Sequence, residues 1–137
     1  MWADVNFFAV IGAAIASFAV GALWHSPMLF GKQWMALAGF TPESMRLMPM
    51  GPKKAMTLGF LSTLIMSYVI AYFVVALIVI TIPEALALGF WVWLGFIATT
   101  LVNPVLWQGE SAKLYAFDIT YQLVGVWVMA IILTLWQ

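Results

Sequence analysis

Residues 61–100 read LSTLIMSYVIAYFVVALIVITIPEALALGFWVWLGFIATT, and Glu84 is the only charged side chain among them. An apolar run of about 20 residues suffices to cross the hydrocarbon core of a bilayer, so this stretch is long enough to cross it twice. The break falls at Thr81-Ile82-Pro83-Glu84. Pro83 suits the first turn of a helix, where its missing N–H has no partner to lose. Glu84 suits the positive end of the helix dipole. A connection this short makes the flanking segments an antiparallel hairpin.

The rest of the chain agrees. Of its 137 residues, 66% are hydrophobic and 7% charged, whereas a soluble domain carries about 25% charged residues. A chain of this size has no interior large enough to hide so much apolar side chain, so its solvent is lipid. The 8 tryptophans and 4 tyrosines suit a membrane interface. A net charge of zero removes the basic surface that nucleic acid needs. Without cysteine there is no disulfide, thiol nucleophile or thiolate metal site. The start, MWADVNFF, carries Asp4 where a signal peptide has Lys or Arg, and the first apolar segment is expected to stay as a mature helix.

Four spans are predicted over 5–24, 55–82, 83–102 and 111–136, forming one all-α integral membrane domain over 1–137. The expected fold is a four-transmembrane-helix antiparallel bundle. Lys32, Arg46, Lys53 and Lys54 fall in the first connection and Lys113 at the third. The positive-inside rule therefore puts the long loops in the cytoplasm and both termini outside. Within the first loop, Met28–Gly39 places Phe30, Trp34 and Leu37 on one helical face, which predicts a short interfacial helix. Thr41-Pro42-Glu43 reads as the cap and first turn of another. Trp24, Phe30, Trp34 and Trp107 are the expected interfacial anchors.

Small residues at four-residue spacing give each of three spans a stripe for close helix packing. These are Gly12, Ala13, Ser17 and Gly21 on the first, Gly59 and Thr63 on the second, and Gly95 with Thr99 on the third. A substrate path could run along the same stripes. The more polar side chains gather toward the loop side. His25, Ser26, Thr99, Asn103, Asp118, Tyr121 and Gln122 form a candidate polar pocket there, and Ser17, Ser67 and Tyr72 are its only continuation outward. Asp118 is either a carboxylate within the fourth span, where an ionisable group points to function, or the N-cap of a helix opening at Phe117-Asp118. His25 is either its proton partner or an interfacial residue beside Trp24. One histidine and one acid are too few ligands for zinc within one chain. No enzyme signature is present. No cofactor, metal site or catalytic residue is expected.

Gly21-Ala22-Leu23-Trp24-His25-Ser26-Pro27, followed by Leu29-Phe30-Gly31-Lys32 and Trp34, resembles the opening signature of a bacterial membrane family known as domain of unknown function 1761. Trp93-Leu94-Gly95-Phe96, Gly109-Glu110-Ser111 and Tyr121-Gln122-Leu123 are similar to its later patterns. The resemblance covers nearly the whole chain and implies a small four-span protein of the bacterial cytoplasmic membrane. Tyrosine is commoner in the family at the position of His25 and asparagine at that of Asp118. A proton pair between these two residues would thus be peculiar to this chain. The resemblance supplies no activity.

The expected function is that of an oligomeric membrane protein with a cytoplasm-facing polar pocket, serving small-solute or ion transport. Four short spans rarely enclose a pathway alone, which favours a homo-oligomer of closed symmetry. The alternative is a non-catalytic accessory or scaffold subunit of a larger membrane complex.

Overall fold

The computed structural model describes residues 3–137, so Met1 and Trp2 of the expected domain lie outside the described residues. Four helices are long and apolar enough to cross a membrane, at Phe7–Trp24, Pro52–Ala76, Ile82–Gln108 and Ala112–Leu135. No strand occurs among the described residues. The chain is a multi-pass membrane protein of four apolar helices.

Helix α1 (Phe7–Trp24) starts at Asn6, whose side-chain oxygen accepts from the Phe8 and Ala9 N–H groups at 3.0 and 3.2 Å. That cap satisfies donors the first helical turn would otherwise leave bare. The helix stops at Ser26-Pro27, where the Ser26 hydroxyl donates to Leu23 O at 2.7 Å. Two short helices follow, α2 (Gly31–Ala38) and α3 (Pro42–Arg46). The second opens with a reciprocal cap between Thr41 and Ser44.

Helix α4 (Pro52–Ala76) ends earlier than the expected Ile82. Val79 N–H donates to Val74 O and Ile78 N–H to Val75 O, while Ile78 takes a φ of 54°. This is the two-bond helix stop usually built on glycine. A β-branched residue is strained in that left-handed conformation. Val79 is buried against the core and Ile78 is 75% exposed.

Helix α5 (Ile82–Val92) then opens on Thr81. The Thr81 hydroxyl accepts from Glu84 N–H, and Glu84 Oε2 accepts from the N–H groups of Ile80 and Thr81 at 2.9 and 3.1 Å. The third span continues through a π-helical turn at Trp93–Ala98, then α6 (Thr99–Leu101) and α7 (Asn103–Gln108). It runs past the expected end at 102 although Pro104 removes a helix donor. The Asn103 amide replaces that donor by bonding Thr100 O at 3.1 Å. Helix α8 (Ala112–Leu135) is capped by the Ser111 hydroxyl, which accepts from Lys113 and Leu114 N–H.

Helix α8 is the hub, packing on α1, α4, α5 and the π-helical turn. The consecutive helices α4 and α5 are antiparallel, but each packs on α8 and they make little contact with one another. The buried core lies in the half holding the 77–81 turn. Ala13, Ile70, Val74, Ala85, Val126 and Met129 are among its members. Apolar packing alone gives helices little reason to associate in lipid, so hydrogen bonds between helices carry weight. Ser67, 0% exposed, donates from its hydroxyl to Val10 O at 2.9 Å and ties α4 to α1. Three donors tie the third span to α8. Trp127 Nε1 bonds Leu86 O at 2.9 Å, and Trp93 Nε1 bonds Ile119 O and the Tyr115 hydroxyl bonds Ala98 O, both at 2.7 Å.

Candidate functional site

The N-terminal half of α4 leaves the bundle. Residues 52–58 are all exposed, whereas the buried residues of this helix, Ser67, Ile70, Ala71 and Val74, lie in its second half. The divergence opens a cavity of about 260 Å³ between α1, α4 and α8. Small residues line it on every side, with Ser17 from α1, Gly59 and Thr63 from α4 and Gly125 from α8. Tyr121, Gln122 and Met66 complete much of the wall. Gln122 lies roughly 15 Å along α8 from its start, so the cavity reaches mid-bundle.

The polar groups here are not equivalent. The Thr63 hydroxyl bonds its own helix at Gly59 O, at 2.9 Å. Ser17 is 5% exposed, lines the cavity, and makes no hydrogen bond to any described residue. Gln122 is half-buried and is likewise unbonded among the described residues. Among the described residues, the buried side-chain atoms without a partner are Trp24 Nε1 and Thr134 Oγ1, so the Ser17 oxygen opens onto the cavity, where a ligand or water group would satisfy it.

Of the seven residues expected in the pocket, Tyr121 and Gln122 line this cavity. Ser26, Thr99 and Asn103 do not. Their side chains bond Leu23 O, Gly95 O and Thr100 O, each on its own helix segment. His25 donates from Nδ1 to Gly21 O at 2.8 Å, because a carbonyl can only accept. Its ring stands edge-on to Trp34 and Tyr121 at 5.0 and 4.9 Å. Asp118 lies inside α8, and Ser111 rather than Asp118 caps that helix. Asp118 forms no hydrogen bond or ion pair among the described residues. The structure does not join His25 and Asp118 as a bonded pair.

The expected packing glycines divide by what they meet. A Cβ at Gly12 would lie 2.6 Å from the Trp136 ring, and one at Gly21 would lie 2.5 Å from the Tyr121 hydroxyl. These glycines seat rings from the C-terminal half of the chain. Ala13 is fully buried. A Cβ at Gly95 meets nothing within 4 Å, and at Gly59 only Phe18 at 3.8 Å. Gly95 is therefore not a packing position within one chain, and Gly59 borders space. Trp107 is 83% exposed. Trp24, Phe30 and Trp34 belong to a ring cluster with His25, Phe117 and Tyr121 at the loop end of the bundle.

Sequence reasoning placed Ser17, Gly59 and Thr63 on packing stripes along which a substrate path could also run, and they line the cavity. The available signal was their depth. Three helices carry small residues at one level, and only α1 and α8 close up there, a Cβ at Gly125 lying 3.1 Å from the Ser17 hydroxyl while one at Gly59 on α4 meets only Phe18 at 3.8 Å. Small residues facing small residues leave a volume unless backbones close it.

The family described as Protein of unknown function (DUF1761) matches residues 8–134. No curated protein and no solved structure matches the chain.

Proposed function

The chain belongs to the DUF1761 family, whose description assigns no activity, and we propose that it is a non-catalytic, solute-binding membrane protein that holds its ligand in the cavity beside Ser17. The observation that carries this reading is the Ser17 hydroxyl, 5% exposed and unbonded on the cavity wall. Gln122 and the Tyr121 ring supply a second polar group and a flat face. All five Lys and Arg residues sit in or beside the long connections. The reading accordingly places that end in the cytoplasm, both termini outside, and the chain in a bacterial cytoplasmic membrane. Helix α2 then rests at the interface.

Transport of a small solute or ion is the activity that such a cavity would serve. It calls for more than one copy, since the half beyond Met129 is filled by Ala9, Val10, Ile70, Val74 and Leu133, with Ser67 and Thr134 the buried polar side chains there among the described residues. Gly95, with nothing within 4 Å of its Cβ position, leaves a flat outer face on which a second copy could pack. The same filled half favours the accessory-subunit reading as runner-up.

The test uses single cysteines, which the native chain lacks. Ser17→Cys and Gln122→Cys in proteoliposomes should react with a membrane-impermeant methanethiosulfonate from the long-loop side, at least tenfold faster than the core control Ala13→Cys. Equal rates would remove the cavity reading. Mass measurement after gentle extraction separates a homo-oligomer from a stoichiometric foreign partner, and the latter result favours the accessory role.

A further inference from the structure

We infer that the cavity receives the uncharged, hydroxyl- and ester-bearing head of a lipid of the diacylglycerol kind, which enters sideways from the bilayer between α4 and the third span. The inference rests on the cavity being a binding site, as proposed above, and adds the class of ligand and its route.

The route follows from the packing. Because α4 and α5 each pack on α8 and barely on each other, a gap faces the lipid between α4 and the π-helical turn. A second cavity of about 210 Å³ lies there, lined by Met66, Phe96, Ile97, Thr100, Leu101 and Gln122. Met66 and Gln122 line the first cavity as well. The side chains between the two spaces are therefore unbranched and flexible. Methionine in particular adapts to irregular volumes at little cost.

The chemistry grades along this path. The outer space is apolar, since the Thr100 hydroxyl is tied to Phe96 O at 2.7 Å and Thr100 offers mainly its methyl group. It suits an acyl chain. The inner space has the unbonded hydroxyl of Ser17 and the unbonded amide of Gln122, which together donate and accept. It suits hydroxyl and carbonyl groups. No Lys, Arg, His, Asp or Glu lines either space. A phosphate or carboxylate head would be buried without a counter-charge, which is strongly unfavourable in the membrane. The head is thus neutral.

The experiment is native mass spectrometry of the full chain with dioleoylglycerol, dioleoylphosphatidic acid and dioleoylphosphatidylcholine, which share acyl chains and differ in head. The expected result is a dioleoylglycerol adduct at least tenfold more abundant than either phospholipid adduct at equal mole fraction. Ser17→Ala and Gln122→Leu should each reduce it at least fivefold, and Thr120→Val, at an exposed hydroxyl that bonds Ala116 O and lines neither space, should leave it unchanged. Equal binding of phosphatidic acid, no dioleoylglycerol adduct, or an adduct indifferent to Ser17→Ala would overturn the inference. If that happens while Ser17→Cys still reacts selectively with the water-soluble reagent, the binding cavity stands and the lipid ligand alone fails. If Ser17→Cys is also inert, both fail.

Discussion

Gly31 shows how much one residue can fix in this chain. A Cβ there would lie 2.6 Å from His25 O and 2.7 Å from Ser26 C and O, all of them backbone. The Gly31 N–H also bonds Ser26 O at 2.8 Å and closes the elbow between α1 and α2. Backbone cannot rotate away as a side chain can. Gly31→Ala should therefore destabilise the fold by about 2 kcal/mol, in the range for overpacking a tight site. Gly21→Ala meets the far end of the Tyr121 side chain and should cost about 1 kcal/mol less, because a side chain can move aside. Reversible unfolding in mixed micelles reads both, and an equal cost for the two would contradict this account. The end of α1 at Trp24 and the short helix after it were legible in the sequence, since their signals are local, whereas the close approach at Gly31 was not. Nor was the status of Ser17. A small polar residue in an apolar helix looks the same facing a neighbouring helix or a cavity, and only the divergence of α4 separates the two.

At the level of elements, the ends that carry local signals were legible. Thr81, Pro83 and Glu84 predicted a helix start, and their side-chain bonds make one. The end of α4 was missed because an isoleucine, not a glycine, takes the left-handed position. The third span was expected to stop before Pro104, and it continues because Asn103 supplies the missing donor across the helix. Its π-helical turn is held to α8 by Trp93 and Tyr115. Trp93→Phe and Tyr115→Phe should each lower stability by about 1 kcal/mol, the order measured for interhelical hydrogen bonds in membranes. Both bonds fix one irregular segment against one helix, so the double variant should lose less than the two single losses added together. A double-mutant cycle measures this, and strict additivity would mean the two bonds act independently.

Across the whole molecule, order is divided between two halves. The core residues gather near the 77–81 turn and the termini, while residues 52–58 of α4 are all exposed. Local opening follows such differences in packing. Backbone amides of residues 54–60 should exchange with deuterium at least tenfold faster than those of 67–74 in the same detergent micelle. Uniform protection along α4 would mean that its first half is held by something other than this bundle. Four apolar spans and their antiparallel order could be read from composition and length. Their packing order could not, because the hairpin suggested by the short 77–81 connection says nothing about which neighbour each helix chooses.

The central place of α8 bears on how the protein is made. Ribosomes deliver α1, α4 and the third span to the membrane first, and α8 is the last of the four described spans to emerge. The partner that all three share is thus the one that arrives latest. Until it does, the Ala98 and Leu86 carbonyls lack their α8 donors and most of the core has nothing to close against. Biogenesis must keep three inserted helices loosely together and protected from proteolysis until translation supplies their common partner.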